Sequence, residues 1–372
     1  MNKKLLSVLL TIVMTVVMLG GCGKSANDNS SYFKELKEMS EIEKGKSVAT
    51  IDFVVDPGDM EENEIVKKLK NSDGKIAVSL KLDMVEAGSE EIGGKILAKV
   101  GNDSDYSEVT TIAFKDQKLY LTTKPVIEFA KKIAGDQAAT IETYLQQMGI
   151  GDAVSLDIKK VSEAMGVETS SDNVLQASKD FVNNTMNIFE KYFKDIQEQD
   201  GDDYVLKVNE ENAEKAVDGL ISLLKSDDAK TIIQEFKKLM EAMYSEEMMS
   251  NITGQISFDD AEEKLPDAAK KIEEKKQSII DAIKEAKLNL VSKSRIIDGE
   301  GIFTLETGDV TVKDVNFNVK MNCEMENTKV DVESFIPENP SDVTTTLLTV
   351  FNSMQSLGGD TGSVEDAEDV AQ

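Results

Sequence analysis

Apolar positions recur with two different periods along this chain. Near both ends apolar and polar residues alternate, which is typical of β-strands with one buried face; in the middle, apolar residues recur every three or four positions, as on amphipathic helices. In the N-terminal part, the alternation predicts strands over 48–55, 75–87 and 95–100 and a hairpin over 109–123. The second of these strands has an apolar face made of Ile76, Val78, Leu80, Leu82 and Met84.

Helical spacing begins at Pro125 and continues to about residue 287. The predicted helices span 125–135, 139–149, 174–196, 212–225, 231–243 and a charged stretch over 265–287. Gly135 and Gly149 are suitable helix ends. A short strand that begins at residue 202 interrupts the helices, and weak helical spacing over 32–46 predicts a helix that leads into the body.

Alternation returns in the C-terminal part, where strands are predicted over 302–308, 310–327 and 328–337. The second of them has an apolar face made of Val315, Phe317, Val319, Met321 and Cys323. Because the opposite faces are polar, we expect antiparallel pairing, and because free edges are a liability, we expect one sheet closed by strands of the two ends. The prediction is an α+β fold, with a curved antiparallel sheet built from N-terminal and C-terminal strands and packed against a central helical region.

The first residues form a pattern of their own. Two lysines precede an apolar run over 5–19, and Gly20 and Gly21 follow it. A short positive segment, an apolar stretch too short for a stable membrane span and small residues at the cleavage site are typical of a secretory signal peptide. We therefore expect residues 1–21 to be removed from the mature chain.

Leu19, Gly20, Gly21 and Cys22 resemble the lipobox of bacterial lipoproteins. In that family the cysteine thiol receives a diacylglycerol group, the leader is cut directly before it, and the modified cysteine begins the mature chain. The resemblance implies that Cys22 carries acyl chains such as palmitate and that the protein is anchored to the cell membrane, facing its extracytoplasmic side. Two or three acyl chains give durable anchoring, whereas one alone gives only marginal binding.

The chain is thus predicted to divide into four segments. They are a signal peptide over 1–21, a lipidated cysteine with a polar tether and lead-in helix over 22–46, a single α+β domain over 47–337, and an acidic, largely disordered tail over 338–372. Within the domain, strands are expected over 48–123, mainly helices over 125–287 and strands over 295–336. The tail prediction rests on a glycine-rich, acidic composition with few apolar residues.

Charge excludes some partners. The chain has 70 acidic and 42 basic side chains, a formal net charge of −28, and loss of the two leader lysines makes the mature chain more negative still. Such a surface repels phosphate backbones and anionic head groups. We therefore expect no nucleic-acid binding, and membrane contact through the lipid anchor only.

Residue types exclude most catalytic chemistry. The sequence has no histidine, which removes Ser-His-Asp and Cys-His nucleophile systems and all histidine-containing zinc sites. With Cys22 modified, Cys323 has no partner and is predicted to be a buried structural thiol. The acidic stretches over 101–108 and 198–204 lack the spacing of an EF-hand and are predicted to be hydrated turns. We therefore expect no metal, no cofactor, no catalytic residue and no enzymatic activity.

The apolar helix stripes and the 16 methionines leave two interpretations open. They form an ordinary core, or they line an apolar space between sheet and helices in which a lipid-like ligand binds. By element order and anchoring, the body is loosely similar to half-barrel lipoproteins of the LolA, LppX and LprG type, which implies a lipid-binding role. The alternative is a binding or scaffolding module with a solid core that meets envelope proteins, and an envelope hydrolase that uses carboxylates is the least favoured.

Overall fold

The computed structural model describes residues 31–39, 45–58, 63–88, 90–135, 137–164, 171–244, 258–298, 300–312 and 315–349. The predicted signal peptide, Cys22 and the predicted tail beyond residue 349 lie outside the described residues. Their assignments stay predictions.

The strands are β1 Gly45–Val55, β2 Ile76–Gly88, β3 Glu91–Val100, β4 Ser107–Lys115, β5 Lys118–Thr122, β6 Ala153–Asp157, β7 Gln197–Asp200, β8 Asp203–Val208, β9 Leu290–Ile297, β10 Glu300–Glu306, β11 Val310–Val312, β12 Val315–Glu326 and β13 Ser341–Asp342. The helices are α1 Tyr32–Met39, α2 Glu64–Leu69, α3 Lys124–Ala134, α4 Gln137–Gln147, α5 Ile158–Ala164, α6 Ser171–Phe193, α7 Ala213–Leu224, α8 Asp227–Met243, α9 Phe258–Glu274 and α10 Lys276–Glu285.

The predicted α+β class is confirmed, because one large sheet unites strands from both parts of the chain. Its strand order is β13-β6-β5-β4-β3-β2-β1-β12-β10-β9-β8-β7, and β11 pairs with β12 off this path. Strand β1 is antiparallel to β2 on one side and to β12 on the other. The first strand and the last long strand therefore join N-terminal and C-terminal halves at the centre of the sheet.

The sheet is curved but open, so the prediction that the two ends close it is wrong. The ends meet in its interior, and its edges are β7 and β13. These edge strands span four and two residues, and β7 has the acidic side chains Glu198 and Asp200. Short, charged edges already resist pairing with another chain, which removes the physical need for closure. The pairing is also not wholly antiparallel, because β13 is parallel to β6.

Two further differences lie near the C-terminus. Residues 328–336, which alternate in sequence, form no strand but an irregular segment with a 3₁₀ turn over Glu333–Phe335. Apolar side chains of this segment, including Val332 and Phe335, pack with Val85 and Ala113 on one face of the sheet. Strand β13 lies beyond residue 338, so the ordered chain extends into the segment predicted to be tail.

The predicted hairpin over 109–123 forms as β4 and β5. Its two connecting residues, Asp116 and Gln117, both have positive φ, 51° and 60°. Positive φ at both positions is the geometry of the type I′ turn, whose twist matches that of antiparallel strands.

A hydrophobic core packs helices α1, α6 and α8 against the C-terminal strands. Its buried members are Tyr32, Phe33, Leu36 and Met39 of α1, Phe181, Val182 and Met186 of α6, Leu239 of α8, and Phe303, Leu305, Cys323 and Met325 of β10 and β12. Helix α1 is therefore part of the folded body rather than a lead-in to it. A second core joins α7, α9 and α10.

Candidate functional site

The pairing of β2, β1 and β12 aligns the two apolar faces that the sequence predicts. Ile51 of β1 lies opposite both Leu80 of β2 and Met321 of β12, and Phe53 lies opposite Val78. Because directly opposite residues point to the same side of a sheet, the two predicted faces form one surface. We call this surface the inner face.

The inner face continues through β10 and β9 to β8. Phe303 lies opposite Cys323 on one side and Ser294 on the other, and Ser294 lies opposite Tyr204. These positions are part of the core formed with α1, α6 and α8, or lie directly under those helices. The C-terminal half of the inner face is therefore filled by the protein's own helices.

Polar contacts fix the start of α1 on this half. The hydroxyl groups of Tyr32 and Ser292 are hydrogen-bonded at 2.5 Å, and both residues are buried. The Tyr32 backbone N–H donates to Gln197 Oε1 at 3.1 Å, and the Ser31 hydroxyl donates to Glu190 Oε2 at 2.8 Å. Burial raises the pKa of Tyr32, so its hydroxyl stays protonated and able to donate at neutral pH.

Small residues make room for the helix. Ser292 and Ser294 of β9 are fully buried beneath α1, and Gly301 of β10 lies where a Cβ atom would be 3.3 Å from Met39 Cγ. The strands under α1 thus have side chains short enough for a helix to lie close to the sheet.

Cys323 lies in the same core and is the free thiol of the described residues. Burial raises its pKa to about 11, so the thiol is protonated at neutral pH and is not a nucleophile. The prediction of a buried structural cysteine is confirmed.

The other half of the inner face has an opening at β1 and β2. Phe53 is 41% exposed and Leu80 is 38% exposed, although both lie within long central strands. We call the surface formed by Ile51, Phe53, Val78, Leu80 and Leu82 the open floor; its other three members are partly exposed.

Buried positions border the open floor on both sides. Val319, opposite Phe53 on β12, and Ala98, opposite Leu80 on β3, are buried. With strands about 4.8 Å apart, the open floor is a trough about 10 Å wide. From Val78 to Leu82 it runs about 13 Å along the strands. Its dimensions suit a single extended hydrocarbon chain.

The acidic stretch over 101–108 forms a turn that leads into β4, as predicted. The stretch over 198–204 lies mostly in β7 and β8, with only residues 201–202 between the two strands, so its prediction as a hydrated turn is wrong. Asp103, in the turn over 101–106, accepts from Lys132 at 2.6 Å. Burial raises the pKa of Asp103, but the hydrogen bonds from Lys132 and the Val100 backbone and the charges of Lys132 and Lys99 together lower it. Asp200 and Asp203 pair with Lys293. Across the described ranges, no group of three or more acidic, histidine or cysteine side chains is placed to hold a metal ion.

No helix within the described ranges is both long and apolar enough to cross a membrane.

No family model, no curated protein and no solved structure matches the chain. The resemblance to the lipobox and the loose similarity to half-barrel lipoproteins therefore stay predictions, and function has to be argued from the geometry of this chain alone.

The sequence predicts the strands that form the open floor, but not that the floor is exposed. The apolar alternation of 48–55 and 75–87 marks the strands of the open floor, yet nothing in that alternation separates exposed Phe53 and Leu80 from buried neighbours. The place of α1 on the inner face was missed as well. Tyr32, Phe33 and Leu36 could have indicated this position, because a short surface helix usually has fewer large apolar residues.

Proposed function

We propose that this chain is a membrane-anchored extracytoplasmic lipoprotein, without enzymatic activity, whose body binds a lipid-like or apolar ligand on the open floor. The observation that supports a ligand is the exposure of Phe53 and Leu80 on an apolar face, although Val319 and Ala98 directly beside them are buried. The anchor rests on the lipobox-like residues 19–22.

Exposed apolar side chains in mid-sheet favour an occupant. Contiguous apolar surface on a soluble protein usually marks a binding site, and β1 and β2 are central strands whose inward side chains normally form core. Covering Phe53 and Leu80 completely yields about 1.5–3 kcal/mol for each full side chain, reduced here because both are already partly buried.

The tether keeps this site near a membrane if Cys22 is lipidated. Nine residues separate Cys22 from Tyr32, and an extended chain of that length spans at most about 35 Å. Because Tyr32 is fixed in the core by its contacts with Ser292 and Gln197, the body cannot extend the tether by releasing α1 without losing that packing.

The anchor is tested by metabolic labelling with a clickable fatty acid. Cys22→Ser should abolish labelling, whereas Cys323→Ser, which changes the buried cysteine, should leave it unchanged. Labelling that persists in the Cys22→Ser chain would overturn the lipoprotein assignment.

The ligand is tested on the mature chain made with Cys22→Ser and without the leader. Fluorescence of the neutral probe N-phenyl-1-naphthylamine should rise on binding, and Phe53→Ser with Leu80→Ser should weaken its affinity by about tenfold or more. Ile297→Ser is the matched control, because Ile297 is 43% exposed but alternates to the opposite face of the sheet from the inward Ile296. A chain that binds no probe, and that native mass spectrometry shows free of lipid, ends the carrier proposal.

A second candidate is an envelope protein-binding module with a solid core. It is favoured by one observation, namely that α1 fills the C-terminal half of the space between sheet and helices. This candidate predicts neither probe binding nor co-purified lipid, so the same two measurements separate it from the carrier.

A further inference from the structure

Two segments beside the open floor are basic in an otherwise acidic chain. Residues 64–75, which include α2, and residues 124–134, which form α3, together have seven lysines and three acidic residues. The whole chain, in contrast, has a net charge of −28. A local positive excess of this kind focuses anions at one place on a surface that repels them elsewhere.

The two segments meet at one end of the open floor. Helix α2 contacts both β2 and α3, and Lys68 Nζ donates to the Lys132 carbonyl oxygen at 3.0 Å. Lys75 directly precedes β2 and lies three residues before Val78, which is about 10 Å along the strand. Val78 lies opposite Phe53, so the basic segments border the end of the floor at which Phe53 is exposed.

Some of these lysines are already neutralised. The ion pairs of the two segments include Lys67 with Glu64, Lys131 with Glu142 and Lys132 with Asp103. By contrast, Lys68 and Lys75, which lie near the start of β2, make no ion pair with a carboxylate in the part of the chain that the structure describes. Lys124 lies at the other end of α3, where its backbone N–H donates to the Asp152 carbonyl oxygen. We call Lys68 and Lys75 the lysine rim. Their charges are available to an anion from outside.

The chemistry of the floor favours a hydrocarbon tail over a peptide. Strands β1 and β2 are hydrogen-bonded to neighbours on both sides, so the floor offers apolar side chains and no backbone partners. An extended peptide laid on it would leave its own N–H and C=O groups without protein partners, whereas an acyl chain has none to satisfy.

We infer, building on the proposed function, that the ligand is a monomeric anionic amphiphile. Its acyl tail lies in the trough of the open floor, and its carboxylate or phosphate headgroup lies against the lysine rim. The apolar floor by itself indicates only an apolar tail. The lysines beside it, which have no carboxylate partner, indicate that the headgroup is anionic.

The test compares amphiphiles that share a dodecyl-length tail and differ in charge. Dodecanoate, dodecyl maltoside and dodecyltrimethylammonium, each below its micelle concentration, displace N-phenyl-1-naphthylamine from the mature Cys22→Ser chain. Dodecanoate should bind about tenfold more tightly than the neutral maltoside, and the cation should bind most weakly. Raising the salt from about 0.05 M to about 0.5 M should remove most of this preference, because Lys68 is exposed and Lys75 is partly exposed.

A double variant, Lys68→Gln with Lys75→Gln, should lose the preference for dodecanoate and keep its affinity for the maltoside. The matched control replaces two exposed lysines of α7 and α9, Lys215→Gln with Lys270→Gln, and should behave as the parent. Equal affinity for all three amphiphiles, in a chain that still binds the probe, would overturn this inference and leave the apolar carrier intact. Failure of every amphiphile and of the probe would instead overturn the proposed function itself.

Discussion

Replacing Phe33 by alanine tests whether α1 belongs to the folded body. Phe33 is 4% exposed, and its ring centroid lies 5.2 Å from that of Tyr32, 5.8 Å from that of Phe189 and 6.5 Å from that of Phe193. Truncating such a side chain removes the burial of a phenyl ring and leaves a cavity, which together cost about 3–5 kcal/mol. An eight-residue helix is not stable by itself, so α1 depends on its tertiary contacts. Loss of the Phe33 ring should therefore lower the free energy of unfolding of the whole body.

Urea unfolding of the mature Cys22→Ser chain measures this cost. The Phe33→Ala variant should shift the midpoint to lower urea at unchanged slope, by an amount equal to about 3–5 kcal/mol. Phe53→Ala is the matched control, because it makes the same chemical change at an exposed position and should cost about 1 kcal/mol. If Phe33→Ala prevents folding, the milder Phe33→Leu should still lower stability by about 1 kcal/mol.

A Phe33→Ala variant whose unfolding free energy lies within about 0.5 kcal/mol of the parent value would refute the placement of α1 in the core, since surface substitutions have effects of that size. That result would mean that α1 is a lead-in segment outside the cooperative body, as the boundary predicted at residue 47 implies.

Single contacts elsewhere in the fold can be tested in the same way. Gly45→Ala should lower the melting temperature, because its Cβ would lie 1.9 Å from the Glu326 carbonyl oxygen and would force β1 and β12 apart. Cys323 should react with Ellman's reagent only after unfolding, because burial raises its thiol pKa to about 11. Hydrogen bonds from Lys191 and Tyr192 lower the pKa of Asp228, so its stabilisation is present at neutral pH and is lost as pH falls below about 4; Asp228→Asn should flatten the acid limb of a stability-against-pH curve.

Local periodicity predicts those elements whose own residues form a stripe. Helices α3, α6 and α8 and the β4–β5 hairpin all lie within a few residues of their predicted positions. Strand β6, in contrast, was not predicted, because it spans only five residues between two helical segments. Its pairing with β5 and β13 is what defines it, and such long-range pairing leaves no local pattern.

The start of β9 was missed for a different reason. The strand covers Leu290–Ile297, but its inward residues Ser292 and Ser294 are polar, so apolar alternation is absent there. The structure explains the serines, because α1 lies over them and Tyr32 needs a hydrogen-bond partner in the core. A feature required by tertiary packing thus removed the local signal on which the prediction depends.

The contrast between the two halves of the inner face limits what can occupy the open floor. Under α1 the sheet has Ser292, Ser294 and Gly301, and these short residues let a helix approach. The open floor instead has the larger side chains of Phe53 and Leu80, which would keep a helix farther from the strands.

An occupant of the trough is therefore thinner than a helix, as an extended hydrocarbon chain is. Leu80→Trp tests this point, because the larger indole ring keeps the floor apolar but occupies more of the space above the strands. The variant should weaken binding of N-phenyl-1-naphthylamine and dodecanoate by about tenfold if the tail lies between side chains. Unchanged or tighter binding would mean that the ligand lies across the top of the floor, where a larger apolar surface only adds contact.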